Sequence, residues 1–264
     1  MTRLEPMGAA AAQDRQEGFV QTMRLVPCGG VVFYASVQGN SATSTGSATR
    51  RTEIRRRLVT ILLEHLHFSN RVALPIRLVH DPLGRPHLLV GEHRGPAISF
   101  STAGEEVWAA LCGDESDIGI DVAGSAEFQE GYPVYRVFHV HEFHQTLELA
   151  GGDWANAAAL LWSIKESVAK ALGCAFHLVD PRDIHVDPPL VEDGGPAFSV
   201  RLSGKALLRF PMADRRPIMV RSLPQAGTWL SIAALNWPRH RVAGRRGPVP
   251  DFPITAMTGS WESP

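Results

Sequence analysis

One long helix constrains this chain more than any other feature. Asp153 is a suitable N-cap and Gly173 a suitable residue just past the end, so the sequence predicts a helix over 153–172. At about 100° per residue, Leu160, Leu161, Ile164, Val168, Ala171 and Leu172 fall in one narrow stripe. That stripe is the core face. Trp162, Glu166 and Lys170 lie on the opposite side, and Lys165 sits at the stripe's edge. Glu166 and Lys170 stand in the favourable i,i+4 order, worth about 0.2–0.5 kcal/mol on an exposed helix. An ordinary solvated face accounts for that pair. It does not account for Trp162, which needs something to cover it.

Around this helix the pattern is mainly strands. GGVVFYASV (29–37) reads as a strand and RRTEIRRRLVTILLEHL (50–66) as a periodic helix. IRLVHDPLGRPHLLV (76–90) reads as a hairpin, because Asp81, Pro82, Leu83 and Gly84 supply turn chemistry. PAISFSTA, EVWAALCG and SDIGIDVA follow as short strands, and a helix is expected around 141–150. RDIHVD, AFSVRL, RPIMVRSL and TWLSIAAL complete the set. TWLSIAAL (228–235) faintly echoes EVWAAL (106–111). The expected fold is α+β, with two similar halves related by a pseudo-two-fold, each a small antiparallel sheet packed with a long helix. The halves are expected at 21–117 and 118–238, flanked by a disordered start (1–20) and a Pro/Gly/Arg-rich tail (239–264).

Composition excludes several classes. The 264 residues are 44% hydrophobic and 20% charged, with a net charge of -1, so no basic excess points to nucleic acid. Cys28, Cys112 and Cys174 are too few for a disulfide framework and lack the CxxC spacing of a zinc site. No apolar run approaches the roughly 18 residues of a membrane span, and the start does not read as a signal peptide. A cytoplasmic monomer is expected. His139, His141 and His144 invite a zinc reading, but no HExxH accompanies them. Arg55, Arg56 and Arg57 read as a solvated helix face able to add positive field. GxGxxG, Walker A and GxSxG sequences are absent.

In DIGIDVAG (117–124), Ile118, Ile120 and Val122 point one way, and Asp117, Gly119, Asp121 and Ala123 the other. Set beside the helix, Asp121 and Glu166 would supply two oxygen ligands to a hard cation. Magnesium takes one or two carboxylates together with phosphate oxygens and water. Two carboxylates, two lysines and several arginines point to metal-assisted phosphoryl transfer.

GIDV (119–122) followed by WSIKESVAKALG (162–173) resembles the paired signature of the 4′-phosphopantetheinyl transferases, in particular the large single-chain Sfp-like type. RRTEI (50–54) resembles the family's His-Arg-Thr segment, which makes Arg51 a coenzyme A ligand by resemblance. LGRPHL (83–88) resembles its Gly-Lys-Pro motif with Arg85 in place of lysine, and ISFSTAGEEVWAAL (98–111) its Asn-x-Ser-His-Ser segment, matched at Ser101. FHVHEF (138–143) resembles the stretch before the second motif, with Glu142 at its acidic position. The similarity spans roughly 50 to 235.

The resemblance implies coenzyme A in the cleft between the halves, with Mg²⁺ on Asp121 and Glu166. A serine of an apo carrier protein of fatty acid, polyketide or nonribosomal peptide synthesis would attack the β-phosphate, and 3′,5′-ADP would leave. Glu166, or water on the ion, would accept the serine proton, and Glu142 would share that role. Lys170 would neutralise charge on the leaving phosphate, and Arg51, Arg85, Ser101, Thr102, Lys165 and Lys170 would hold coenzyme A. Two positions depart from the family. Thr102 stands where its histidine contacts phosphate, and Ala123 where many members have a second acidic ligand. A rival reading is therefore a degenerate member that binds coenzyme A or a carrier protein without catalysis; a second is a plain interaction module.

Overall fold

The computed structural model describes residues 20–24, 31–39, 47–66, 75–113, 116–129, 131–192, 195–225 and 227–235. Cys28, residues 1–19 of the expected disordered start and the tail from 239 lie outside these.

The first sheet has four strands in the order β1 (Gln21–Arg24), β2 (Val31–Gln38), β7 (Glu106–Cys112) and β6 (Ala97–Ala103). Helix α1 (Ser47–His65) covers one face of it. A separate three-stranded sheet, β3 (Ile76–His80), β4 (Pro86–Val90) and β5 (His93–Arg94), lies between α1 and β6 in the chain. Its first turn is the expected one: Asp81 Oδ1 accepts from the amides of Leu83 and Arg85, and Gly84 takes a φ of 83°.

The second sheet runs β10 (Leu190–Glu192), β11 (Gly195–Leu202), β12 (Ile218–Gln225), β13 (Thr228–Leu235) and β8 (Asp117–Gly124), with β9 (Ile184–Val186) paired to β11. Between β8 and β9 come the short α2 (Val134–Val137), α3 (Val140–Leu149) and the long α4 (Trp154–Ala171); α5 (Gly204–Arg209) follows β11. Among the described residues every strand pair is antiparallel. β1, β5, β10, α2 and α5 were not anticipated; all five are short, with little room for a period to declare itself.

Strand alternation builds the layers. Val107, Ala109 and Leu111 of β7 turn to α1, whereas Trp108, Ala110 and Cys112 meet Ile118, Ile120 and Val122 of β8 between the two sheets. The opposite face of the second sheet receives α4. The order through the molecule is thus helix, sheet, sheet, helix. Burying a side chain such as Leu160, Leu161 or Ile164, all at 0% exposure, contributes about 1.5–3 kcal/mol each.

The sequence stripe understates how deeply α4 is set. Ser163, Lys165, Ser167 and Ala169 are buried as well as the predicted core residues. Trp162 finds its cover in Phe128, with ring centroids 6.4 Å apart, and Phe176 at 5.2 Å. The "wet" face of the helix is a second packing surface.

The approach of β8 to α4 is set by one glycine. A Cβ on Gly119 would stand 1.9 Å from the Ser167 carbonyl oxygen and 2.5 Å from the Ala171 nitrogen. Both are backbone atoms, so strand and helix would have to separate. Gly119→Ala is expected to lower stability by about 3 kcal/mol, at the upper end of overpacking costs. Urea unfolding checks this, and a midpoint equal to wild type would contradict the close approach.

Candidate functional site

The edges of the two sheets meet where β6 lies against β8. Ser99 Oγ accepts from the Ile120 amide at 3.1 Å, and Ser101 Oγ accepts from the Val122 amide at 3.2 Å. Ser101 in turn donates to Asp121 Oδ1 at 2.9 Å. Its hydroxyl therefore ties the first sheet to a carboxylate on the second.

Asp121 faces α4 because the period-two alternation of β8 puts it on the side of Gly119. Lys170, near the end of α4, donates to Asp121 Oδ1 at 2.6 Å and lies 3.4 Å from Glu166 Oε2. Asp121 is 4% exposed, while the Glu166 and Lys170 side chains keep 27% and 25%. The group is recessed but open.

Burial first, and then the Asp121 carboxylate, push Glu166 up to about 7. Burial alone would lower Lys170, but Asp121 and Glu166 outweigh it and hold the ammonium above its ordinary value. Two carboxylates are thus pressed together with one cation between them. The donors are all oxygens, which suits a hard divalent ion that also takes water and phosphate oxygens. Ala123 contributes no ligand; it is buried in the core beside α4.

Next to this group lies a cleft of about 180 Å³, whose wall includes Lys170, Arg85, Arg55, Ser99 and Phe100. Arg85 Nη2 pairs with Asp117 at 2.7 Å. Its guanidinium also packs on Gly173, whose φ of 79° ends α4; an added Cβ there would be 2.5 Å from Arg85 Nη1. A cation beside a helix C-terminus is favoured by the exposed carbonyls there. Arg51 lies exposed on α1, one turn before Arg55, and Thr102 is exposed on β6.

Two residues are placed elsewhere, and both correct the sequence reading. Lys165 is fully buried and donates to the carbonyls of Pro181 at 2.9 Å and Ile184 at 2.5 Å. Its ammonium also pairs with Glu142 Oε2 at 2.9 Å. No face of it is left for a phosphate. Glu142, 1% exposed, further accepts from the amides of His139 and Val186. Both its oxygens are engaged, Oε2 by Lys165 and His139 and Oε1 by Val186, and among the described residues no hydrogen bond or ion pair joins Glu142 or Lys165 to Asp121 or Glu166. Their pair fastens α3 and α4 to β9. The narrow stripe missed this because Lys165 stands at its edge, where a lysine reaching solvent looks equally natural.

His139 and His185 stack at 4.5 Å between ring centroids, near Glu142. Stacked imidazoles direct their in-plane lone pairs side by side rather than at a shared ion, and Lys165 already occupies the carboxylate. His139 also engages the Arg182 carbonyl through Nε2 at 2.9 Å, and His185 engages Ser203 at 2.7 Å. The cluster is poorly suited to a metal.

Removing one partner of a buried ion pair typically costs about 3–5 kcal/mol, since it strands the other charge. Lys165→Met is expected to lose that much in chemical denaturation, and Lys165→Met with Glu142→Gln to regain part of it. An unchanged stability of Lys165→Met would contradict the structural assignment.

Residues 117–208 match the family model described as the 4′-phosphopantetheinyl transferase superfamily. No curated protein sequence matches the chain significantly. Among solved structures, the chain is similar to the holo-[acyl-carrier-protein] synthase of Helicobacter pylori in complex with coenzyme A. The identity is 18%, over 44% of this chain and 96% of that one, with a TM-score of 0.34. It is also similar to the holo-[acyl-carrier-protein] synthase of Neisseria meningitidis, with 20% identity over 45% of this chain and 95% of that one, TM-score 0.34.

Proposed function

Because the chain carries a domain of the 4′-phosphopantetheinyl transferase superfamily over residues 117–208, we propose that it transfers 4′-phosphopantetheine from coenzyme A to a serine of an apo carrier protein. The observation that supports this most is the Asp121–Lys170–Glu166 group, open beside a cleft lined by arginines. The large single-chain type is favoured by the further motif matches at Arg51, Arg85 and Ser101.

In this reading Asp121 and Glu166 hold Mg²⁺, which when bound supplies positive charge to the pyrophosphate. The chain's own groups do the rest. The arginine-lined cleft receives the nucleotide, Arg85 being a fork suited to phosphate oxygens. Ser101 keeps Asp121 oriented through its hydrogen bond. The carrier serine oxygen forms a bond to the β-phosphorus, and the bond from that phosphorus to the bridging oxygen of the nucleotide breaks. 3′,5′-ADP departs with that electron pair. Lys170, already cationic, stands where charge grows on the departing phosphate. The Glu166 carboxylate accepts the serine proton. The reading needs neither Glu142 nor Lys165.

A non-catalytic binder remains the second reading, favoured by Thr102 and Ala123. It keeps the cleft but forms no holo carrier.

The test is intact mass of an apo carrier protein incubated with this chain, coenzyme A and Mg²⁺. The expected result is a gain of one phosphopantetheine group, lost with EDTA. Glu166→Gln is expected to abolish the gain, a fall of at least about a thousandfold for a residue serving both ion and proton, with the melting temperature preserved. Coenzyme A binding without any mass gain, across carriers of all three pathways, would favour the binder instead.

A further inference from the structure

Arg85 reaches the cleft from the turn between β3 and β4, and it is held at both ends. Asp81 fixes its backbone: Oδ1 accepts from the Arg85 amide at 3.0 Å, and the Asp81 amide donates to the Arg85 carbonyl at 3.0 Å. Asp117 Oδ1 fixes its guanidinium, at 2.7 Å. Three further contacts join these two ends. Asp81 Oδ2 lies 3.3 Å from His87 Nε2, and His87 Nδ1 lies 2.9 Å from Arg94 Nη2. The same Arg94 nitrogen stands 3.9 Å from Asp117 Oδ1. Asp81, His87, Arg94, Asp117 and Arg85 thus form a closed ring, which joins the three-stranded sheet to β8.

The ring fixes the protonation of its imidazole. A guanidinium has donors only, so His87 Nδ1 accepts from Arg94. A carboxylate has acceptors only, so His87 Nε2 donates to Asp81. Only the neutral tautomer with its proton on Nε2 meets both. The surrounding groups favour it. Burial, and then Arg94, hold His87 below its ordinary value, Asp81 opposing them and Arg85 adding to the pull. Val79, opposite His87 on β3, brings no charge. Asp81 is kept ionised: burial would raise it, but the Arg85 amide, the His87 ring and the Leu83 amide outweigh that.

Protonation of His87 turns an N–H toward a donor and sets two cations 2.9 Å apart. Arg94, with a side chain 44% exposed, turns to water, while ionised Asp81 keeps the imidazolium. One cation replaces another, so the cleft gains no net charge. Asp117, however, loses one of its cations and bears more heavily on Arg85. The guanidinium is then drawn to Asp117 and away from an incoming anion. Because His87 lies below its ordinary value, the ring is whole above about pH 6.5 and opens as the pH falls from there towards the lowered value. We infer that His87 is a positioning residue for Arg85, holding it ready through Arg94 and Asp117 only while the imidazole is neutral.

The inference rests on the reading of the chain as a coenzyme A-dependent transferase, and calorimetric titration separates the two. Coenzyme A is titrated into the wild type, His87→Gln, His87→Phe and Arg94→Met at about pH 7.5 and about pH 5. At the higher pH, His87→Phe and Arg94→Met are expected to bind about threefold to tenfold more weakly than the wild type. His87→Gln regains most of that loss, because an amide accepts from Arg94 and donates to Asp81 without titrating. On acidification the wild type is expected to lose at least about threefold more affinity than His87→Gln. Glu166 and the phosphate of the ligand titrate with both proteins, so the difference between them isolates His87. Melting curves separate a lost contact from a lost fold; if His87→Phe unfolds, Arg94→Met carries the test. Parallel losses in the wild type and His87→Gln, or an Arg94→Met that binds like the wild type at the higher pH, overturn the inference and leave the transferase reading standing. A wild type that binds no coenzyme A at either pH overturns both.

Discussion

The backbone of β8 passes so near α4 that only a glycine fits at 119, and the rest of the site depends on that approach. It sets Asp121, two residues along the strand, opposite the last turns of the helix. There the Lys170 ammonium spans the gap at 2.6 Å. On its other edge, β8 is stitched to β6 through Ser99 and Ser101. One strand therefore brings a carboxylate, a helix and the first sheet to one point. The cleft opens beside that point, where the wall passes from one sheet to the other.

Adjacent residues of α4 show how differently the fold can treat charge. Lys165 points inward, where burial draws its ammonium down while Glu142 opposes that pull. Two carbonyls and one carboxylate satisfy it completely. Such a pair is weak evidence for stability by itself, because desolvating two ions offsets their attraction. What it does is fix α3, α4 and β9 in register. Glu166, one residue on, points to the cleft mouth with a second carboxylate against it and remains partly exposed. Closed networks of the first kind hold a structure together; open ones of the second kind invite a ligand.

Much of this was legible in the sequence, for reasons that differ by residue. The strands and the long helices announce themselves because Ile118, Ile120 and Val122 alternate at period two and Leu160, Ile164 and Val168 recur at 3.6. The Asp81–Gly84 turn was readable because each of its residues has a definite backbone preference. Asp121, Glu166 and Lys170 were visible as a motif, and the structure brings those three together. The burial of Lys165 was not legible, since its partners are the carbonyls of Pro181 and Ile184 and a carboxylate 23 positions earlier in the chain, at Glu142. Nor was the half-burial of Arg55 on the cleft wall, because a run of arginines gives no sign of which one turns inward. Tertiary position decides such cases, and a local pattern does not record it.

The central claim is that the meeting point of β6, β8 and α4 is a cation and phosphate site. Anomalous diffraction from crystals grown with coenzyme A and Mn²⁺ tests it directly. The account predicts one strong anomalous peak within ligand distance of both Asp121 and Glu166, with phosphate density against Lys170. A peak at the His139–His185 stack instead, or coenzyme A bound away from this cleft, would contradict it.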